Sequence, residues 1–192
     1  MRPVTVVPYD PQWPAAFERG AREVKAALGE SLLAIHHIGS TSIPGIHAKP
    51  IIDMLAVASD LSPVDEYKKH MREIGYEAMG EFGIDGRRYF RRDNVAGVRT
   101  EQVHAFEAES PHVRRHLAFR DFLQAHAGLA LEYSQLKQRL AAAHPFDIEA
   151  YMDGKEAFIR QTEAMALEWV SRRDIAVSRT TPDARSVVGG AI

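Results

Sequence analysis

The chain has 192 residues, 45% of them apolar and 26% charged, which suits one globular domain with enough length for a real core. Its 24 Lys and Arg against 26 Asp and Glu leave a net charge of -2, so there is no global basic field to hold nucleic acid, and a nucleic-acid partner is disfavoured. It has no cysteine, which excludes disulfides, thiolate zinc sites and a cysteine nucleophile and fits a reducing cytoplasm.

In chain order, residues 4–7 form a short β-like run. Asp10 and Pro11 stand where the N-cap and first turn of a helix belong. Trp13, Phe17, Ala21, Val24 and Leu28 then recur at helical spacing, and Gly29 marks the end. Leu32–Ile38 reads as a strand, followed by a loop carrying Gly39, Ser40, Thr41, Ser42, Pro44 and Gly45. Residues 50–57 are almost continuously apolar, the pattern of a buried central strand, and hold one carboxylate, Asp53. Ser62 and Pro63 begin a second helix, with Val64, Tyr67, Met71 and Ile74 on one face and Gly75 at its end. Residues 87–92 and 98–106 are predicted strands around the turn-like Asp93-Asn94.

Ser110 and Pro111 start another helix. Leu129, Tyr133, Leu136, Leu140 and Ala143 mark a further one, read as core stripe, which Pro145 breaks. Asp153 and Glu156 resemble a capping box, so the last long helix is expected to begin at Asp153 and continue through Phe158, Thr162, Met165 and Trp169. The domain is expected over residues 1–177 and a mobile tail over 178–192. The first ten residues show no apolar signal region, and no stretch approaches the ~20 apolar residues of a membrane helix. The pattern predicts α/β or α+β architecture: a mixed sheet flanked by helices, with a helical C-terminal region.

The chemistry concentrates in residues 36–57. A strand ends in Gly39-Ser40-Thr41, and the next strand carries a lysine and then a lone aspartate. Glycine lets a backbone approach a ligand closely. Loop N–H groups and the Ser40 and Thr41 hydroxyls can bind phosphate oxygens, and Lys49 adds a point charge. Asp53 can hold a Mg²⁺ ion that bridges the same phosphates. On the later strand, Gln102 and His104 share one face and Glu101 lies on the other; His104 is the candidate for orienting or deprotonating an acceptor.

The spacing of Gly39-Ser40 and Asp53, with twelve residues between, resembles the nucleotidyltransferase signature. Residues 38–57 (IGSTSIPGIHAKPIIDMLAV) are still more similar to the GrpB family, also known as UPF0157. HLAFRDFL at 116–123, the Tyr133-Ser134-Gln135-Leu136-Lys137 element and the segment from Tyr151 to Ile159, with Lys155 and Phe158, resemble later parts of that family, so the likeness runs from about Val4 to Trp169. It implies a nucleotidyltransferase-like fold of unassigned activity, sometimes fused to dephospho-CoA kinase, and hence a link to that enzyme and to coenzyme A metabolism. Two departures stand out. The second carboxylate of the nucleotidyltransferase pair falls on Leu55, and Glu101 and Gln102 occupy places where the family pattern has histidines.

Arg88, Arg91 and Arg120 are read either as solvated charge or as lining an anion pocket, Arg120 being the best placed because it lies in the family-like helix. Lys137 can reach the pocket from its helix; a lone helical lysine is otherwise simply exposed. His36 and His37 read as structural, and His112, His116, His126 and His144 as solvated. Two functional readings follow. One is a Mg²⁺-dependent nucleotidyl or phosphoryl transferase acting on a nucleotide or phosphorylated small molecule. The other is a non-catalytic module that binds such a molecule or a partner. Leu55 favours the second; Gly39, Ser40, Asp53 and His104 together favour the first.

Overall fold

The computed structural model describes residues 3–180. Its centre is a five-stranded mixed sheet in the order β1-β2-β5-β4-β3. The strands are β1 (Leu32–Ile38), β2 (Ile52–Ala58), β3 (Glu77–Ala78), β4 (Arg88–Asp93) and β5 (Arg99–Glu107). β1 runs antiparallel to β2, β2 parallel to β5, and β4 antiparallel to β5. The mixed-sheet α+β class expected from the sequence is the observed one.

Alternation along β2 explains its run of apolar residues. Met54, Ala56 and Ala58 join Val103, Ala105 and Phe90 in a core under α1 (Trp13–Leu28), α2 (Leu61–Glu66) and α3 (Lys68–Glu73). Leu55 and Val57 face the other way, with Ile38 and Phe106, against Val113 and Leu117 of α4 (Pro111–Ala125). Both faces of β2 are therefore buried, as a strand with parallel and antiparallel neighbours and helices on each side requires. α5 (Ala127–Ala143) and α6 (Ile148–Thr180) complete the helical region, packed together through Tyr133 stacked on Phe158 at 5.0 Å between ring centroids.

Several local expectations are corrected. The β-like run at residues 4–7 forms no strand of the sheet: Val7 makes an isolated bridge with Ala48, and the Val4 N–H donates instead to the Pro145 carbonyl at 2.8 Å. The predicted second helix is two, broken at Tyr67 and capped by Asp60, whose carboxylate accepts from the Ser62 N–H at 2.7 Å. The last helix begins at Ile148 rather than Asp153: the Asp147 carboxylate accepts from the Ala150 N–H at 3.0 Å, six residues before the capping-box reading. Residues 178–180 of the expected tail belong to this helix, and the rest of the tail lies outside the described residues. No described helix is long and apolar enough to cross a membrane.

The corrected helix start has a direct consequence. Asp147→Ala should destabilise the protein by about 1 kcal/mol through loss of the cap, while Asp153→Ala at an exposed helical position should change stability by less than about 0.5 kcal/mol. Urea unfolding of the two variants distinguishes the assignments.

Candidate functional site

The site forms where β1 ends and β2 begins, which antiparallel pairing brings together: Ile38 lies opposite Asp53. The chain then turns through Gly39 with φ 70° and ψ -175°. That combination is open essentially to glycine alone. A second constraint acts at the same residue, since a Cβ on Gly39 would collide with the Asp53 carboxylate. Glycine is thus required twice, for its conformation and for the approach of backbone to carboxylate.

A short 3-10 turn over Ser40–Ser42 follows. Thr41 is 1% exposed and points inward: its hydroxyl donates to the Ile51 carbonyl at 3.2 Å and pairs with His37 Nε2 at 3.0 Å. The expectation that Thr41 binds phosphate through its hydroxyl is corrected, because that group is already used to close the loop. Since the hydroxyl proton goes to Ile51, His37 donates from Nε2. His37 also stacks on Phe17 at 4.8 Å. Burial lowers its pKa to about 4, against the opposing pull of Asp53, so the ring is neutral near pH 7.

Asp53 has cations around it on several elements. Lys49 lies within its field; burial lowers the lysine's pKa, Asp53 opposes the shift and Arg99 adds to it. His104, two residues beyond the Gln102 that pairs with Asp53 across the sheet, places Nε2 3.8 Å from Asp53 Oδ1. Its Nδ1 faces the Arg87 guanidinium at 3.3 Å. Arg87 can only donate, so Nδ1 is the acceptor and the neutral ring carries its proton on Nε2, towards Asp53. This geometry suits His104 to donating and orienting better than to removing a proton. Arg120 donates to the His37 carbonyl at 3.1 Å and to Asp121 at 2.7 Å, which puts it beside the glycine turn.

Arg88 and Arg91 do not join this cluster. Arg88 makes a two-pronged ion pair with Asp65, both bonds 2.8 Å, and Arg91 pairs with Glu77 at 2.6 Å. These partners, remote in sequence, fix both arginines elsewhere on the sheet. Glu101 lies on the opposite face, bonded to Tyr76 and, at 2.6 Å, to Arg92. Leu55 is fully buried against Ile38, Val57 and Phe106, so the place of a second strand carboxylate is hydrophobic core. His116, read as solvated, instead packs 5.9 Å from His104, and burial lowers its pKa to about 3.

The larger surprise lies overhead in α5 and α6. Lys137 is 1% exposed and Lys155 8%. Lys137 Nζ sits 4.3 Å above the Tyr133 ring and Lys155 Nζ 4.6 Å above the Tyr151 ring. Lys137 was a candidate; Lys155, Tyr151 and Tyr133 were not assigned to the site. A signal was present in the sequence, since Tyr-x-x-x-Lys recurs at 133–137 and 151–155, a spacing that sets a lysine over a tyrosine on one helical face. Burial first, then Lys155, lowers the Lys137 pKa to about 7; burial first, then Lys49, lowers that of Lys155 to about 8, opposed by Asp53.

Fold and site define a mixed-sheet α+β protein in which a glycine turn presses onto a lone strand carboxylate beneath a lysine-bearing helical cap. The chain belongs to the GrpB family, whose model, described as GrpB protein, matches residues 3–165. The crystal structure of conserved protein GrpB from Enterococcus faecalis superposes with a TM-score of 0.83 at 42% identity, covering 86% of this chain and 99% of that one. UPF0157 protein YqkA of Bacillus subtilis (strain 168) is 42% identical over 175 residues, 91% of this chain but 50% of that one, so this chain spans half the length of that relative. A dephospho-CoA kinase of Mycobacterium tuberculosis (strain CDC 1551 / Oshkosh) is 27% identical over 190 residues, 87% of this chain and 47% of that one.

Two outcomes test the geometry. Gly39→Ala should cost about 1–3 kcal/mol for the backbone conformation alone, and more through displacement of Asp53; denaturant unfolding gives the total. His37 binds its proton more weakly when folded than when unfolded. The unfolded chain therefore takes up the extra proton as pH falls below about 6.5. Stability should fall between about pH 6.5 and 4 by up to ~1.4 kcal/mol per pH unit from this group, and His37→Gln should shallow that slope in urea titrations run across the range.

Proposed function

We propose that this protein binds a nucleotide or phosphorylated small molecule at the glycine turn and catalyses nucleotidyl or phosphoryl transfer with a single Mg²⁺ ion. The observation that carries the reading is the Asp53 carboxylate, pressed against Gly39, with His104 Nε2 at 3.8 Å and the lysines Lys49 and Lys155 under its electrostatic influence.

The donor set limits the metal. Among the described residues no group of three His, Cys, Asp or Glu could hold an ion. Asp53 supplies one carboxylate and Leu55 none, so neither an all-protein cage nor a two-metal clamp is supported. One ion shared between Asp53 and the ligand's phosphates does fit, because Mg²⁺ is commonly held by one or two carboxylates together with substrate phosphates. Bound there, the ion would neutralise charge on the phosphates. Lys49 would hold a phosphate oxygen, the glycine turn would let the ligand approach the backbone, and His104 would orient a reacting oxygen through Nε2–H. Phosphoryl transfer depends mainly on positioning and electrostatics, so the lack of an evident base is no obstacle.

Leu55 supports a second reading, a non-catalytic binding or partner module. The likeness to a protein named dephospho-CoA kinase makes coenzyme A precursors the first ligands to try, and the cysteine-free sequence fits a cytoplasmic setting.

The test is a thermal-shift series with ATP, UTP and dephospho-CoA, with and without Mg²⁺, on wild type and Asp53→Asn. A ligand at a hundred times its Kd should add about 2.7 kcal/mol to stability, a rise of roughly 5–10 °C for a domain of this size. Transfer predicts a Mg²⁺-dependent rise lost in Asp53→Asn, followed by release of phosphate or pyrophosphate from the ligand. Stabilisation that ignores both Mg²⁺ and Asp53, with no release, would establish the binding module instead.

A further inference from the structure

We propose that Arg87 is a positioning residue for His104 and that the loop from Gly80 to Gly86 is the clamp that holds Arg87. The inference rests for its purpose on the reading of Asp53 and His104 as a ligand site, yet its geometry is complete without a ligand.

Arg87 is 7% exposed. A buried arginine ordinarily meets a carboxylate, because a desolvated charge is costly without one. Arg87 uses its donors otherwise. Nε donates to the Glu81 carbonyl at 3.1 Å, Nη2 to the Phe82 carbonyl at 2.7 Å, and Nη1 to His104 Nδ1 at 3.3 Å. Two of these bonds fix the guanidinium to the loop, and the third fixes the ring whose Nε2 stands 3.8 Å from Asp53. Tyr89 supports both ends of that third contact. It lies opposite His104 in the β4–β5 pairing, with ring centroids 5.2 Å apart, and the guanidinium carbon sits 4.8 Å from the Tyr89 centroid. A planar fork held on two carbonyls cannot turn to follow the imidazole, so the imidazole takes its orientation from the fork.

The loop is built to hold that fork. Gly80, Gly83 and Gly86 take positive φ of 64°, 82° and 69°, which lets a short segment fold back on itself. The Tyr89 N–H donates to the Gly80 carbonyl at 2.9 Å and closes the base of the loop, while the Gly86 N–H donates to the Glu81 carboxylate at 2.8 Å across it. Phe82 is the one non-glycine among the described residues at positive φ, 46°. Its side chain is 60% exposed, so burial of the ring does not account for this strained backbone. The carbonyl does, because that conformation delivers it to Arg87. With Nδ1 engaged as acceptor, His104 presents Nε2–H. A movement of the loop that withdraws the Phe82 carbonyl frees Arg87, and with it the choice of which nitrogen His104 offers a ligand.

The test is long-range ¹H–¹⁵N NMR of the histidine rings in the full chain, with the His104 signals assigned by their loss in His104→Gln. Spectra are taken at about pH 8.5, where a histidine is ordinarily neutral. Wild type should show a protonated Nε2 and an Nδ1 shifted as a hydrogen-bond acceptor. Arg87→Met should move the Nδ1 resonance to that of a free lone pair, and with Asp53→Asn added the Nδ1–H form should become detectable. Two further variants leave Arg87 and His104 in place and remove the same ring. Phe82→Gly takes positive φ without strain and should keep the wild-type Nδ1 shift, whereas Phe82→Val, β-branched at that φ, should lose it. A protonated Nδ1 in wild type, or the same Nδ1 shift in wild type and Arg87→Met, overturns the positioning role. Identical Nδ1 shifts in Phe82→Gly and Phe82→Val overturn the clamp. The ligand reading fails separately: spectra as expected, with no stabilisation of wild type by ATP, UTP or dephospho-CoA, leave Arg87 positioning His104 and remove the nucleotide.

Discussion

The compensation of one carboxylate governs how this end of the molecule is built. Asp53 is the second residue of β2 and its half-buried member, at the mouth of a strand that is otherwise buried on both faces. On one side the chain supplies a bare backbone, Gly39, which closes onto the carboxylate without a side chain between. Elsewhere it supplies positive or donating groups from three different elements: Lys49 from the loop, His104 from β5 and Lys155 from α6. Each of those elements has to be fixed for the arrangement to hold. Thr41 ties the loop to Ile51 and His37, while the Ser134 hydroxyl, accepting from the His47 N–H at 2.8 Å, ties the same loop to α5. Ile43 and Ile46 then bury against Leu123, Ala130 and Tyr133. The helical cap is thereby held over the sheet end by the loop that contains the glycine turn.

Those parts of the site that depend on local backbone or on a single strand were legible in the sequence. An apolar run bounded by turn residues marks β2, β1 was read to its observed limits, and the Gly39-to-Asp53 spacing survives because glycine is demanded by conformation as well as contact. What escaped was set by partner choice at a distance. Arg88 and Arg91 look alike along β4, and only the folded chain shows that Asp65 and Glu77 take them. Thr41 was misread for a related reason: a hydroxyl in a loop can face a ligand or its own backbone, and here Ile51 and His37 claim it.

Lys137 shows the limit most sharply. Helical periodicity gave Tyr133 as core, yet a lysine four residues on was read by default as exposed, since lysine is rarely buried unless paired. It is buried because the same helical face continues past Tyr133 towards α6, where Tyr151 and Lys155 repeat the pair. The start of α6 escaped similarly. Two aspartates six residues apart both offer caps, and the one at Asp147 leaves Tyr151 and Lys155 well inside the helix, with their side chains buried. The tertiary environment of those two residues, invisible in local capping signals, agrees with the earlier start.

Leu55 ties these observations together. A second carboxylate in its place would sit in a pocket made of Ile38, Val57 and Phe106, so its absence follows from the packing of β2 against α4 as well as from any loss of chemistry. The cluster thus holds one acid and several basic groups at the sheet end. A site built on paired carboxylates attracts metal ions on its own and then admits an anionic substrate. This cluster sets one acid among several basic groups, and under the function proposed above a divalent ion would arrive with the ligand that completes its coordination. Lys137 and Lys155 hold their protons loosely near neutral pH because burial disfavours the charge.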